Sequence, residues 1–420
     1  MRLRCVYVCS SLLALGSSFS GASFIGSLQA TKEISRHPFK YTKTFLPMVG
    51  GGGLSDGAGS ELTNTLARLD QQWKIQQKSK PTSRWSKIIL DRDTQEVSEE
   101  PPETYVPPLQ EWQDFVYLLE PPSKSTPSCV IFFVGGAGLG QFPQIAYNEF
   151  LLRLSDRLNA AVIAAPYAVG LDHFGLAKSV GELMRKAKLH CEEDSSKLYP
   201  KTLPTYCIAH SLGCKLSSIY MAATEQTYDG IGFMSFNNFG FSQTIGMAKT
   251  FADQLQKNIG IGRGIRPEVL DQVFSFAEMA VGSIGLDFTP NPMETERLLT
   301  LKYNEEQQER TRLFVFDDDM LDSTENFVQA CNGAGPDVSG LPGSHLTPVY
   351  FKLGLDELPD EVRGVAKEAS GGLESASFGN EEELNALVTE VSGWILGKGP
   401  SRKPLWQTER PTISGSAEDQ

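Results

Sequence analysis

The residues that could do chemistry in this chain are a serine, a cluster of acids and a histidine, in that order. Ser211 sits in Cys207-Ile208-Ala209-His210-Ser211-Leu212-Gly213-Cys214-Lys215, which follows apolar residues and opens a helical stretch. The run reads as a G-x-S-x-G nucleophile elbow with Ala209 in the first glycine's place. Such a turn lifts a serine out of the end of a sheet, and small flanking residues avoid collision with neighbouring backbone. The helix that follows points its first amides at any oxyanion forming nearby. Downstream come Phe314-Val315-Phe316-Asp317-Asp318-Asp319 and then Gly343-Ser344-His345. Serine, acid, histidine is the chain order of an α/β-hydrolase triad.

A serine hydroxyl is a poor nucleophile until a base takes its proton and a third group orients that base. The chain has five histidines. His37 lies in the N-terminal segment and His190 in a polar helix end. His210 adjoins the nucleophile, where elbow geometry points neighbouring side chains apart. His173 follows Asp172 beyond a core strand, a position suited to a loop or pocket wall. His345, in a loop after the last short strand, is the expected base. Asp317, Asp318, Asp319 and Asp322 all qualify as the acid by composition. Asp319 precedes the apolar pair Met320-Leu321 and is the expected triad acid, with Asp318 and Asp322 as alternatives. No acid follows Phe236, where Asn237-Asn238 stands.

Gly135-Gly136-Ala137-Gly138 supplies the second half of an oxyanion hole, the Ala137 amide pairing with that of Leu212. Gly136, Gly138 and Asn238 are the expected substrate contacts. The glycine run matches G-x-G-x-x-G only loosely and no acidic ribose partner follows, which sets a dinucleotide site aside. Of seven cysteines, Cys5 and Cys9 lie near the N-terminus. The other five are odd in number and lack C-x-x-C spacing, so they read as buried small hydrophobes. No metal and no cofactor are expected.

These residues need elements to hold them. Continuous apolar runs at 129–134, 160–165, 205–209, 231–236 and 313–316 read as buried parallel strands, with a short last strand at 339–341. Residues 112–119 alternate like a further strand. Helical spacing marks 148–158, 174–189, 215–223 and 381–396. Alternation of the two implies a mostly parallel central sheet with helices on both faces. With the triad order, the expected architecture is an α/β-hydrolase fold. Residues 240–300 fall between two core strands, are too long for a connection, and read as an inserted helical cap. The core is then 127–239 and 301–397, preceded by an extension, 61–126, that packs on it. A polar, proline-containing tail, 398–420, reads as disordered.

The N-terminal region has a different chemistry. Arg2 and Arg4, the apolar stretch 6–15 and small residues at Gly21-Ala22-Ser23 resemble a secretory signal. Residues 24–45 are rich in Ser, Thr and basic side chains, as in a transit peptide. Together 1–48 resembles a two-part presequence for a plastid inside extra membranes, plain secretion being the alternative. A Gly-rich linker, 49–60, follows. Residues 1–45 carry a net +5, so the overall −13 leaves −18 on the remainder. Such a body repels phosphates and is a poor nucleic-acid binder, so no nucleic-acid partner is expected. The apolar stretch is too short and serine-rich to span a membrane.

From Trp85 to Pro348 the chain resembles the DUF1350 family of plastid and cyanobacterial proteins. The resemblance rests on Phe133-Val134-Gly135-Gly136-Ala137, Pro143-Gln144-Ile145-Ala146-Tyr147, Asp172-His173 and His210-Ser211-Leu212-Gly213-Cys214-Lys215-Leu216. It continues in Ser235-Phe236-Asn237-Asn238, Phe288-Thr289-Pro290-Asn291-Pro292-Met293-Glu294-Thr295 and Gly343-Ser344-His345-Leu346-Thr347-Pro348. It implies an α/β-hydrolase fold and a plastid location, with no settled activity. The expected function is hydrolysis of an ester or thioester of an apolar or lipid-like metabolite. The alternative is a non-catalytic scaffold on the same fold, because fold does not fix function.

Overall fold

Strands buried on both faces need apolar side chains at every position, and Val130–Val134 is such a run, with all five residues buried. The computed structural model describes residues 70, 84–90, 114–123, 126–194, 199–244, 287–331, 335–354, 375–404 and 407. Its strands are β1 (Trp85–Ile89), β2 (Phe115–Leu119), β3 (Val130–Val134), β4 (Ala161–Ala164) and β5 (Thr205–His210). They continue as β6 (Gly230–Met234), β7 (Thr311–Phe316), β8 (Asp337–Leu341), β9 (Phe351–Gly354) and β10 (Ser375–Phe378). The helices are α1 (Pro143–Ala146), α2 (Asn148–Leu158), α3 (His173–Glu193), α4 (Leu212–Thr224), α5 (Pro292–Lys302), α6 (Glu305–Glu309), α7 (Thr324–Ala330) and α8 (Glu381–Ile395).

Eight strands form one sheet in the order β1-β2-β4-β3-β5-β6-β7-β8, and β9 and β10 form a separate hairpin. β2 runs antiparallel to both β1 and β4, whereas β4, β3, β5, β6, β7 and β8 are mutually parallel. This is the α/β-hydrolase fold. Two apolar clusters line the two faces. One joins Phe133, Phe150, Leu154, Leu384 and Leu387, so α2 and α8 cover that face. The other joins Val134, Val180, Met184, Leu216, Leu299 and Phe327, from α3, α4, α5 and α7. Each fully buried Leu or Phe contributes about 1.5–3 kcal/mol relative to exposure. Among the described residues no helix is long and apolar enough to cross a membrane.

The helix ends follow their sequences. α2 stops where Asn159 turns left-handed at φ 49°. α5 opens on a capping box between Asn291 and Glu294, with Pro292 as its first residue. Asn380 caps α8 by accepting from the Glu382 and Glu383 amides.

Two expectations change. Within the 61–126 segment, the described residues 84–90 and 114–123 are not an extension laid on the core. β2 is buried along most of its length and hydrogen-bonded to β4, so this segment supplies two strands of the sheet. β1 hid in the sequence because its burial alternates irregularly, as suits an outermost strand. The tail is not without structure from residue 398, since Gly340 N–H donates to Arg402 O at 2.8 Å and the Ser401 amide donates to Glu390 at 3.0 Å. The open edge of β8 has backbone groups that need partners, and the tail provides them. Most of the proposed cap (245–286), the presequence, the glycine linker and the helix read at Leu62, Leu66, Leu69 and Trp73 lie outside the described residues. The end of the cap range holds α5, which packs beside α4.

The elbow depends on one glycine. A Cβ at Gly213 would stand 2.3 Å from Val134 O and 2.6 Å from Gly135 O, both backbone atoms that cannot swing away. Gly213→Ala is expected to cost about 1–3 kcal/mol by overpacking. Gly399→Ala, where a Cβ meets nothing within 4 Å, is the neutral control. Urea unfolding of both variants checks this.

Candidate active site

Ser211 stands between β5 and α4 with φ 55° and ψ −123°, a backbone region that non-glycine residues rarely occupy. Its amide is held by Met234 O at 3.0 Å on β6, and its carbonyl accepts from Cys214 N–H at 2.9 Å. Ala209, in the usual glycine position, is fully buried in β5 between Val134 and Phe233, so its methyl fits the sheet interior.

His345 Nε2 lies 2.8 Å from Ser211 Oγ. Its Nδ1 lies 3.0 Å and 3.1 Å from the two carboxylate oxygens of Asp319. A carboxylate only accepts, so Nδ1 bears the proton and Nε2 is left to accept from the serine hydroxyl. Two backbone bonds tie the acid loop to the histidine loop, from Asp317 N to Leu341 O (3.0 Å) and from Asp318 N to Gly343 O (2.9 Å). Gly343 has φ 123°, and a Cβ there would strike Thr347 Oγ1, the atom that accepts from the Ser344 amide.

The four acids separate clearly. Asp317 makes a bidentate pair with Arg402 at 2.8 Å, and Asp318 is exposed. Asp322 turns its carboxylate to the Thr324 amide and hydroxyl at 3.1 Å and 2.6 Å. Only Asp319, of the four, bonds to His345. Burial alone would raise the Asp319 pKa, but the His345 imidazole, its hydrogen bond and the Leu321 amide (2.8 Å) outweigh burial and hold it below the usual range. Burial pushes Asp322 up to about 7.

The sequence did not single out Tyr147, and it gave His210 no partner. The Gly136 amide donates to Tyr147 Oη at 2.8 Å, and that hydroxyl lies 2.9 Å from His210 Nδ1. His210 Nε2 lies 2.8 Å from the His345 carbonyl oxygen. A carbonyl only accepts, so Nε2 carries the proton, Nδ1 accepts, and the tyrosine hydroxyl donates to it. His210 is therefore neutral. Burial, with help from His345, pushes its pKa down to about 3. The chain of bonds joins the loop after β3 to the loop after β8 through the residue before the nucleophile.

A cavity of about 200 Å³ opens above Ser211, lined by Gly136, Ala137, Leu212, His345 and an apolar set that includes Leu139, Val169, Phe239 and Phe288. Among the described residues the Ala137 and Leu212 amides have no hydrogen-bond acceptor. Leu212 is the first residue of α4, where helix geometry leaves the amide open. Gly136 reaches the cavity, but its amide is engaged by Tyr147. Gly138 is not among the lining residues and has φ 72° at the start of a single 3-10 turn. Asn238 turns away too, donating to Pro292 O at 3.0 Å and Glu296 at 3.4 Å, and its neighbour Asn237 lines the cavity instead. His173 opens α3 and is part of the wall. Among the described residues no group of three or more His, Cys, Asp or Glu side chains is placed to hold a metal ion. None of the five described cysteines is in a disulfide, and four of them are buried.

Residues 111–356 match the DUF1350 family, whose description is a protein of unknown function. No curated protein matches the sequence. Among solved structures, the chain is similar to a siderophore hydrolase from Aspergillus fumigatus, at 14% identity and TM-score 0.40, covering 67% of this chain and 94% of that one. It is also similar to a fungal esterase from Rhizomucor miehei, at 14% identity and TM-score 0.38, covering 76% and 97%. A peroxisomal α/β-hydrolase from Saccharomyces cerevisiae is similar at 10% identity and TM-score 0.37, covering 68% and 88%.

Buried titrating groups set an acid limit on stability. His210 and His173 both have folded pKa values near 3 against an ordinary 6.5, so between these limits each binds a proton only on unfolding. Asp322, raised to about 7, does the opposite and releases a proton on unfolding above its ordinary 3.8. Two uptakes against one release nearly cancel at pH 6.5 and leave a net uptake of about one proton from pH 5.5 to 4. Stability is expected to fall by roughly 1.4 kcal/mol per pH unit across that window. Urea unfolding at pH 6.5, 5.5 and 4.5 measures the slope. Tyr147→Phe is expected to cost about 1–3 kcal/mol at pH 7, because it strands the Gly136 amide and His210 Nδ1. The same unfolding assay reads that loss.

Proposed function

The chain belongs to the DUF1350 family, and we propose that it works as a serine hydrolase on an ester or thioester of an apolar, lipid-like metabolite in the plastid. One observation carries the reading: an unbroken hydrogen-bonded chain from Asp319 through His345 to Ser211, on a strained turn at the floor of a mostly apolar cavity.

The steps follow from the atoms. Ser211 Oγ passes its proton to His345 Nε2 and attacks the substrate carbonyl carbon. Asp319 stabilises the imidazolium that results and keeps its orientation. The carbonyl oxygen, now negative, accepts from the Ala137 and Leu212 amides. Each well-placed donor of this kind is worth roughly 3 kcal/mol in the transition state. The tetrahedral intermediate collapses, and His345 gives its proton to the departing alcohol or thiol. Water, deprotonated by the same histidine, then attacks the acyl-serine, and the acid is released. The net reaction adds one water across the ester bond. The apolar lining favours an acyl group over a sugar or nucleotide. The resemblance of residues 1–48 to a two-part presequence supports the plastid as its place of action.

Ser211→Ala is expected to abolish labelling by a fluorophosphonate probe and to lower ester turnover by on the order of 10⁴-fold or more. The fold should persist, since one partly shielded oxygen is removed. Asp319→Asn is expected to lose on the order of 10³- to 10⁴-fold in kcat through misorientation of His345. Asp322→Asn should lose far less, and the reverse ranking would move the acid. A folded wild-type protein that neither labels nor hydrolyses any ester across a chain-length series would leave a binding scaffold as the better account.

A further inference from the structure

Lys215 lies one helical turn beyond Ser211 on α4, about 6 Å further along the axis, so both residues look into the same space. Its side chain is buried, at 1% exposure, and lines the cavity. Its ammonium group has three donors, and the contact found for them among hydrogen-bond acceptors is Pro290 O at 3.2 Å. The ammonium also lies 5.7 Å from the Phe288 ring centroid. No carboxylate of the described residues comes within ion-pair distance of it.

The nearest acids are engaged elsewhere. Asp287 accepts from the Phe241 and Phe288 amides at 2.9 Å and 2.8 Å. Glu294 closes the capping box of α5, and Glu296 bonds to Asn238 and Asn326. A buried cation without a counter-ion is costly. Burial lowers the Lys215 pKa only to about 8, because Asp287, Glu294 and Glu296 oppose it from a distance, so the charge persists at neutral pH.

His173 shares this corner. It stacks on Phe288 with ring centroids 4.1 Å apart and lines the same cavity. Among the described residues neither of its ring nitrogens has a hydrogen-bond partner. Native interiors rarely leave such groups without one. Burial and the Lys215 charge keep the imidazole neutral. The arrangement is held firmly: Thr289 pairs with Asp172, and the Phe174 amide donates to Thr289 O at 2.9 Å. A mostly apolar cavity thus has a cationic end with unused donors, about one helical turn from the nucleophile.

We propose that Lys215 and His173 form an anion subsite, and that the substrate is an ester or thioester carrying a second, ionised oxygen group, a carboxylate or phosphate, a few bonds from the scissile carbonyl. This rests on the hydrolase reading of Ser211. The Lys215 ammonium supplies the charge and the neutral imidazole a hydrogen bond. The apolar walls take the chain between the two ends. The anion is a recognition handle and leaves the reaction unchanged.

The test compares matched esters on the full chain. On the acyl side, the p-nitrophenyl monoester of adipate is set against p-nitrophenyl hexanoate. On the leaving-group side, 2-(hexanoyloxy)ethyl phosphate is set against 2-hydroxyethyl hexanoate. Wild type is expected to favour the anionic member of one pair by roughly 10- to 100-fold in kcat/KM, as fits a hydrogen bond to a charged group. The favoured pair tells acyl carboxylate from leaving-group phosphate. Lys215→Met should bring that ratio close to one, mainly through KM, and Lys215→Arg should restore most of it. If Lys215→Met fails to fold, His173→Phe, which keeps the ring stack on Phe288, carries the test and should reduce the ratio several-fold. Fluorophosphonate labelling with no preference in either pair overturns the subsite and leaves the hydrolase reading standing. If neither labelling nor turnover is seen, the hydrolase reading falls. Calorimetric titration of adipate and of glycerol 3-phosphate into the wild-type protein then decides the subsite alone: binding that Lys215→Met abolishes supports it, and no binding of either overturns it.

Discussion

The site depends on the backbone of Ser211 being held where a serine does not rest. A non-glycine residue at φ 55° and ψ −123° carries strain of about 1–3 kcal/mol. Serine is also among the best helix N-caps, and in a relaxed turn its hydroxyl would accept from an amide in the first turn of α4. Here it makes no such cap. Its oxygen is aimed at His345 instead. The constraint comes from the surroundings. β5 is fixed between β3 and β6, the Ser211 amide is bound to Met234, and Gly213 lets α4 press against the Val134 and Gly135 carbonyls. Burial of Leu216, Ile219 and Met221 along α4 then holds the helix down and outweighs the strain.

A second constraint keeps three loops in one register. The oxyanion loop follows β3, the nucleophile follows β5 and the base follows β8. Nothing in the sheet alone fixes the first and last of these relative to each other. The path Gly136–Tyr147–His210–His345 does so with three hydrogen bonds between buried groups. Every donor and acceptor along it is matched, so no alternative tautomer of His210 serves equally well. Burial strengthens such bonds and makes their loss costly. His210 thus works on the geometry of its neighbours and stays in one neutral form, its Nε2 proton held by the His345 carbonyl.

The chemistry was more legible than the scaffolding. Ser211 and the Asp319 loop could be singled out because each falls just past a strand of continuous apolar residues, where a sheet end meets a loop, and His345 because it follows them in triad order after a short last strand. The strands themselves were legible for the same reason, since Val130–Val134 and Thr311–Phe316 are buried on both faces. β1 was not, because Trp85–Ile89 is short and partly exposed. The acid was legible only to within a few residues. Composition cannot tell Asp319 from Asp317 or Asp322, since what separates them is which way each carboxylate turns after Phe316. Asn238 misled for a related reason. A turn at a strand end places alternate side chains in opposite directions, and Asn237 took the one toward the cavity. Tyr147 stood in the sequence only as the end of a family motif, because its role exists only through His210, 63 residues away.

The buried polar groups of the site obey one rule, and its exceptions carry information. Asp319 stays ionised because an imidazole and an amide compensate the loss of water. His210 stays neutral, and both of its nitrogens are bonded. His173 is as deeply buried and as neutral, yet both of its nitrogens are unbonded. A core histidine kept only for packing would be replaced at no loss by a phenylalanine on the same ring stack. Lys215 poses the same question with a full charge, since a methionine would fill its place without desolvating an ammonium. The two sit together, against one phenylalanine, at one end of one cavity. Among the described residues Lys215 has one carbonyl for its three donors and the His173 nitrogens have no partner, and a ligand with an anionic oxygen is the chemistry that answers both.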